Sequence, residues 1–147
     1  DEACYTALYV KALVANAQGR QAEAIKAIGV LVAKWPAYAR PRLNQGEILL
    51  AAGRRSGAVR AFRAGTRATV CPSGRDRSFK AELNYRVASI YADLTRRAVE
   101  RNRSAAIGYK RKYHDAILRC IKLDPRHQAG RKLFLEMGGR FIQRPRR

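Results

Sequence analysis

Five positions in this chain recur at one fixed interval. Ala12, Gly19, Ala24, Ile28 and Leu31 are each followed 34 residues later by Gly46, Gly53, Ala58, Phe62 and Gly65. A period of that length restricts the fold to a stack of similar units, each burying its apolar face against the next. The residue types say what the unit is. Ala12 and Gly46 sit midway along apolar segments, where a small side chain lets a second helix come close, and Gly19 and Gly53 supply turns. Ala24 and Ala58 are small contacts on the second helix, and Ile28 and Phe62 fill the gap between layers. The unit is a helix-turn-helix and the fold class is all-α.

The helices follow from apolar spacing and breakers. Leu8, Val10, Leu13 and Val14 give an amphipathic first helix from about Ala3 to Ala17, and Gly19-Arg20 separates it from a second over Gln21 to Lys34. There Ala24, Ile25, Ile28, Leu31 and Val32 return at helical spacing. Trp35-Pro36 stops it, because proline disfavours helical geometry in the residue before it. Pro41 is expected to open the third helix, which runs to Ala52 and ends at Gly53, and Ser56 to cap a fourth from Gly57 to about Val70. After Cys71 to Arg77 the register slips. Ser78 is expected to cap a fifth helix carrying Leu83, Val87, Ala88, Ile90 and Tyr91, with Ala88 as its small mid-helix residue.

After the charged stretch Thr95 to Asn102 the third helix pair is expected to be long or interrupted, with an extra segment of roughly sixteen residues. A second-helix pattern returns at Tyr113-His114-Asp115-Ala116-Ile117 and closes at Leu123-Asp124-Pro125. Asp124-Pro125 is expected to cap and start a last helix with Ala129, Leu133, Phe134 and Met137 as its apolar stripe, ahead of Gly138-Gly139. The tail Arg140 to Arg147 is expected to be extended. The chain thus divides into helix-pair repeats at about 3–36, 39–72 and 78–125, within 1–125, followed by a capping helix and basic tail over 126–147.

A small residue in the first helix, a turn glycine, an alanine and a large apolar residue in the second, and a closing Pro36 together make the sequence resemble the tetratricopeptide repeat family. The pentatricopeptide family is its neighbour, but the 34-residue period and the Trp35-Pro36 closure favour the former. The resemblance covers about 70 residues well and about 50 more loosely. It implies a short α–α superhelix of about three helix pairs plus a C-terminal capping helix, with a groove lined by the first helix of each pair. Carried over by position, the groove residues are Tyr9, Leu13 and Asn16, then Arg40, Leu43, Asn44, Glu47 and Leu50, then Tyr85, Arg86 and Ser89. Asn44 and Arg86 match two polar groups with which chaperone-binding members hold a peptide carboxylate. The rest of that clamp is absent, since Tyr9, Leu13 and Glu82 stand where a lysine, an asparagine and a base are needed.

Charge narrows the class of partner. The 147 residues carry 31 Lys plus Arg against 11 Asp plus Glu, a formal net charge of +20. Residues 1–39 are almost neutral, with 4 basic and 3 acidic groups, so the excess belongs to the rest of the chain. Such a field attracts polyanions or acidic protein surfaces and repels copies of itself. Arg60, Arg63 and Arg67 fall at i, i+3 and i+7, with Arg54 and Arg55 in the preceding turn, and Arg96 and Arg97 begin a second basic run that continues through Arg101, Arg103 and Lys110 to Lys112. If these arginines bind phosphate they do so by charge density, with no base-reading code implied, and no exposed aromatics are interleaved to stack bases.

A catalytic reading finds little. His114 and His127 lie in unrelated segments without a nucleophile motif, and no phosphate-cradling glycine loop follows a strand. Cys4, Cys71 and Cys120 lack CxxC spacing, which favours ordinary thiols and leaves a single disulfide open. No enzymatic activity, metal or cofactor is expected. The expected role is a protein-protein interaction or scaffold subunit in a multisubunit complex, meeting protein partners with acidic surfaces. The alternative is an RNA-phosphate-contacting subunit of a ribonucleoprotein such as an organellar ribosome. No apolar run reaches membrane-spanning length, and peripheral membrane contact stays open. If the start at Asp1 reflects processing, import into a mitochondrion or chloroplast is favoured.

Overall fold

Gly19 and Gly53 both adopt φ of +73°, a left-handed conformation that glycine enters without strain, and each reverses the chain between two helices. The computed structural model describes residues 2–72 and 76–139. Its helices are α1 (Glu2–Ala17), α2 (Gln21–Lys34), α3 (Ala39–Ala51), α4 (Arg55–Thr66), α5 (Asp76–Ala98), α6 (Arg103–Leu123) and α7 (Gln128–Glu136). The pairs α1–α2, α3–α4 and α5–α6 pack internally, and α2 on α3, α4 on α5 and α6 on α7 join them in sequence. The chain is an all-α superhelix of three helix pairs plus a C-terminal helix. Among the described residues the sole β feature is one parallel bridge, Tyr38 to Val70.

The repeated positions lie inside. Ala12, Ala24, Ile28 and Leu31 are fully buried in the first repeat, as are Ala58 and Phe62 in the second and Ala88 in the third. At Gly46 the fit is so close that a methyl group would overlap the Phe62 ring. The equivalent first-repeat pair is Ala12 with Ile28, so each hairpin combines one smaller and one larger partner. Gly65 does the same between repeats, where an added Cβ would come within 3.0 Å of Leu83 and 3.2 Å of Arg42. Two apolar clusters result. One gathers α1, α2 and Ile48 of α3, while the other runs from Ala58 and Phe62 through α5 and α6 to Leu133 of α7.

Several sequence expectations are corrected. In α1, Ala12 and Ala15 face inward while Val10, Leu13 and Val14 are exposed, because only alanines allow α2 to approach; the helix keeps an apolar outer face. Pro41 is the third residue of α3, not the first. It is buried there at no hydrogen-bonding cost, since first-turn amides have no partner within the helix. Helix α4 begins at Arg55 with Ser56 inside its first turn; its N-cap residue is Arg54, which makes no side-chain bond. It ends at Thr66, four residues before Val70, because the chain turns to meet the first linker. The amides of Thr69 and Val70 donate to the Ala37 carbonyl (3.1 and 2.9 Å), and that of Ala39 donates to the Val70 carbonyl (2.9 Å).

Ser78 is likewise inside α5, which begins at Asp76, and Ser73-Gly74-Arg75 lies outside the described residues. Of the two readings of the third pair, long or interrupted, the structure shows the long one: the extra residues extend α5 to 23 residues and α6 to 21, with a short turn between them. Asn102 starts α6 by accepting the Ala105 amide (3.0 Å). Asp124 is the C-cap residue of α6 and not the start of α7, which is capped by His127. In α7 Leu133 is buried and Phe134 and Met137 are half-buried, but Ala129 faces out. Gly130 takes its place, packed so closely on Cys120 that an added Cβ would lie 2.8 Å from the sulfur. The expected extended tail, Arg140 to Arg147, lies outside the described residues. Cys4, Cys71 and Cys120 are free thiols.

Two measurements test this packing. Gly46→Ala should lower unfolding free energy by about 1–3 kcal/mol despite the better helix propensity of alanine, since Phe62 has no room to move. Adding Phe62→Ile, which reproduces the first-repeat pair, should recover most of the loss in urea melts; no recovery would show that the two positions do not share one slot. The second test uses pH. Burial pushes the Tyr113 hydroxyl up to about 12 from 10.0 and the Cys120 thiol up to about 12 from 9.0. A folded pKa above the unfolded one means the stabilisation is complete below about pH 9 and is lost as pH rises toward 12. Melting temperature should therefore fall across that window, and less steeply in Tyr113→Phe.

Candidate functional site

The first helices α1, α3 and α5, with the start of α7, line up polar side chains into a linked row. The Asn44 amide donates to the Tyr9 hydroxyl at 2.7 Å, tying α3 to α1. Arg86 of α5 reaches Glu47 of α3 at 3.3 Å and Glu82 on its own helix at 2.6 Å. Glu82 in turn meets His127 Nε2 at 2.8 Å, and the His127 ring lies 5.2 Å from that of Tyr85. Because His127 Nδ1 accepts the Gly130 amide at 3.0 Å, the ring proton of the neutral imidazole sits on Nε2 and donates to Glu82.

This row answers the groove reading residue by residue. Tyr9, Asn44, Glu47, Tyr85 and Arg86 are half-buried on first helices, and Arg40 is exposed. The two polar groups that resemble a carboxylate clamp are both engaged, Asn44 by Tyr9 and Arg86 by two carboxylates. Two acids around one guanidinium leave this stretch unsuited to holding an anion. Its polar groups instead tie each first helix to the next. At the α1 end Tyr5 stacks on Tyr9 (centroids 5.8 Å) and meets Trp35 edge-on (5.3 Å), so the closing tryptophan of the first repeat is part of this face.

The basic residues form a second surface. Arg54, Arg55, Arg60, Arg63, Arg67, Arg96 and Arg97 are all exposed. Their company differs. Arg97 pairs with Asp93 at 3.0 Å, Arg96 with Glu136 at 3.8 Å, and Arg55 approaches Asp93 at 4.0 Å. Arg54, Arg60, Arg63 and Arg67 have no carboxylate partner among the described residues, so uncompensated positive charge concentrates on α4. The expected single stripe divides between two clefts. Arg54, Arg55 and Arg60 line one together with Arg42, while Arg63 and Arg67 line another with Arg119 and Asp115. Arg63 also lies 5.9 Å above the Tyr91 ring, with Lys112 5.5 Å from it. Tyr91 itself is buried, so its ring is not open to a stacked base.

Sequence reasoning missed His127, Arg42 and Arg119. The signal for His127 was its place three residues before a glycine that packs on Cys120. No local pattern marks Arg42, whose side chain is directed by the carbonyl of Val32 from the preceding repeat. No helix among the described residues is long and apolar enough to cross a membrane.

No protein-family model matches the chain, and no curated protein matches it.

The His127 arrangement makes a prediction. His127→Ala removes both the cap of α7 and the bond to Glu82, and should cost about 1–2 kcal/mol in chemical denaturation. His127→Asn keeps a capping acceptor and should cost less; equal losses in the two variants would show that the cap contributes nothing.

Proposed function

We propose that this chain is a tetratricopeptide-like repeat protein that serves, without catalytic activity of its own, as an interaction subunit of a larger assembly. The observation that supports this reading most is the outer face of α1. Ala7, Val10, Leu13, Val14 and Ala17 are exposed along one side of that helix, Val10 at 51% and Val14 at 44%. An exposed apolar helix face on a chain of net charge +20 is suited to burial against another protein surface. The first repeat is nearly neutral, so no field opposes that contact.

The remaining surface has the opposite character. Arg60, Arg63 and Arg67 lack carboxylate partners among the described residues and suit an acidic neighbour, where planar guanidinium groups hold carboxylates in pairs of hydrogen bonds. Docking thus has two parts: the α1 face packs, and the α4 face sets orientation through charge. The linked row of Tyr9, Asn44, Glu47 and Arg86 holds the first helices in a fixed relation beneath both.

The test is native-state size fractionation of the full chain expressed at its natural level. The chain should travel in a complex that survives ribonuclease. Val10→Glu with Val14→Glu, two exposed changes that leave the core untouched, should release it as a monomer. Arg60→Glu, Arg63→Glu and Arg67→Glu together should release it in part, more at high salt. A wild-type chain that runs as a monomer sinks the reading, and a complex that collapses on ribonuclease treatment replaces it with the RNA-contacting alternative.

A further inference from the structure

The cleft between α3 and α4 is lined by four arginines, of which Arg42, Arg54 and Arg60 have no carboxylate partner among the described residues while Arg55 approaches Asp93 at 4.0 Å. It is open, about 750 Å³ in volume, and no acidic residue lines it. Arg42 stands on α3, Arg54 in the turn, and Arg55 and Arg60 on α4, while Gly57 and Ala61 add little bulk to the wall. Arg42 is held in place by its neighbours: Nη1 donates to Gln45 at 3.2 Å and Nη2 to the Val32 carbonyl at 3.5 Å. Its Nε–H is buried and meets no acceptor among the described residues. That arrangement costs free energy and leaves the charge of Arg42 without a carboxylate among the described residues.

We propose that this cleft binds a compact, multiply phosphorylated small molecule. The volume falls in the range of small-ligand sites, roughly 300–1,000 Å³. The charge argument selects the ligand class. Four guanidinium groups in one cleft require an anion that gathers several negative charges within a few ångströms. A ring or short chain bearing several phosphates does so, whereas a single-stranded RNA presents its charges in a line and brings few of them into one cleft. Arginine suits the role because its planar fork meets two phosphate oxygens at once. The second cleft, about 370 Å³, is a poorer candidate, since Asp115 lines it and Arg63 is engaged over Tyr91. The site shares Arg60 with the docking face, but its test is independent of that role, because a chain that joins no assembly would still bind the ligand.

Isothermal titration calorimetry of the full chain with inositol hexakisphosphate, at physiological ionic strength to screen general attraction, tests the proposal. One molecule should bind per chain. Arg54→Gln with Arg60→Gln should weaken binding about tenfold or more. Two control variants remove the same charge elsewhere, Arg63→Gln with Arg67→Gln and Arg96→Gln with Arg97→Gln; each should weaken it about threefold or less. All the changed side chains are exposed, so the fold is not at stake. Vesicles of phosphatidylcholine with phosphatidylinositol 4,5-bisphosphate identify the source: cosedimentation that depends on Arg54 and Arg60 supports the same phosphate cluster presented by a lipid, and its absence alongside soluble binding supports a free metabolite. Equal weakening in all three variants, or several molecules bound per chain, overturns the site. So does a single-stranded RNA that displaces the probe at equal phosphate concentration.

Discussion

The hairpin of the second repeat rests on the absence of one methyl group. Gly46 and Phe62 occupy a slot in which any side chain on α3 would meet the aromatic ring. Phe62 belongs to the larger apolar cluster, so the closeness of α3 to α4 is passed on through Val87, Ala88 and Tyr113 to the third pair. In the first repeat the positions 34 residues earlier are Ala12 and a smaller Ile28, both fully buried in one cluster. What recurs is the combined volume of the pair, and neither partner's identity alone. This is how close packing turns a weak sequence periodicity into a definite interhelix distance.

That constraint explains which features were readable from residues. Helix α2 was bounded to the residue, because Gly19 and Trp35-Pro36 are breakers that need no tertiary context. The turn glycines, the buried Ala24, Ala58 and Phe62, and the apolar face of α5 were equally plain. Among the misreadings were helix boundaries that a local signal did not settle. Ser56 and Ser78 are good capping residues, but each lies inside the first turn of its helix. Pro41 is pulled inside its helix by Ala39, whose amide is claimed by Val70. Within Thr95 to Asn102 the helix does end, at Ala98, and the extra residues go into lengthening α5 and α6 on either side of that turn.

The surfaces were half readable. Spacing alone placed Arg54, Arg60, Arg63 and Arg67 on the outside of the second repeat. What spacing does not reveal is which cations lack partners. Arg96 and Arg97 look as basic in sequence as the α4 set, but Glu136 and Asp93 reach them from elsewhere in the fold. The groove shows the reverse case. Asn44 and Arg86 looked like free recognition groups, and Tyr9, Glu47 and Glu82 consume their hydrogen bonds. Placement on a helix face can be read from periodicity, but availability depends on contacts dozens of residues away.

The paired linkers carry a different consequence. Ala37 and Ala39 in the first connection are joined to Thr69 and Val70 in the second by main-chain hydrogen bonds, which no side-chain substitution removes directly. The pitch between the first two repeats is therefore written in backbone geometry. Their outer surfaces can accumulate substitutions, changing from one binding partner to another, while the curvature on which those surfaces are displayed stays the same. In evolutionary terms the molecule separates its frame from its message.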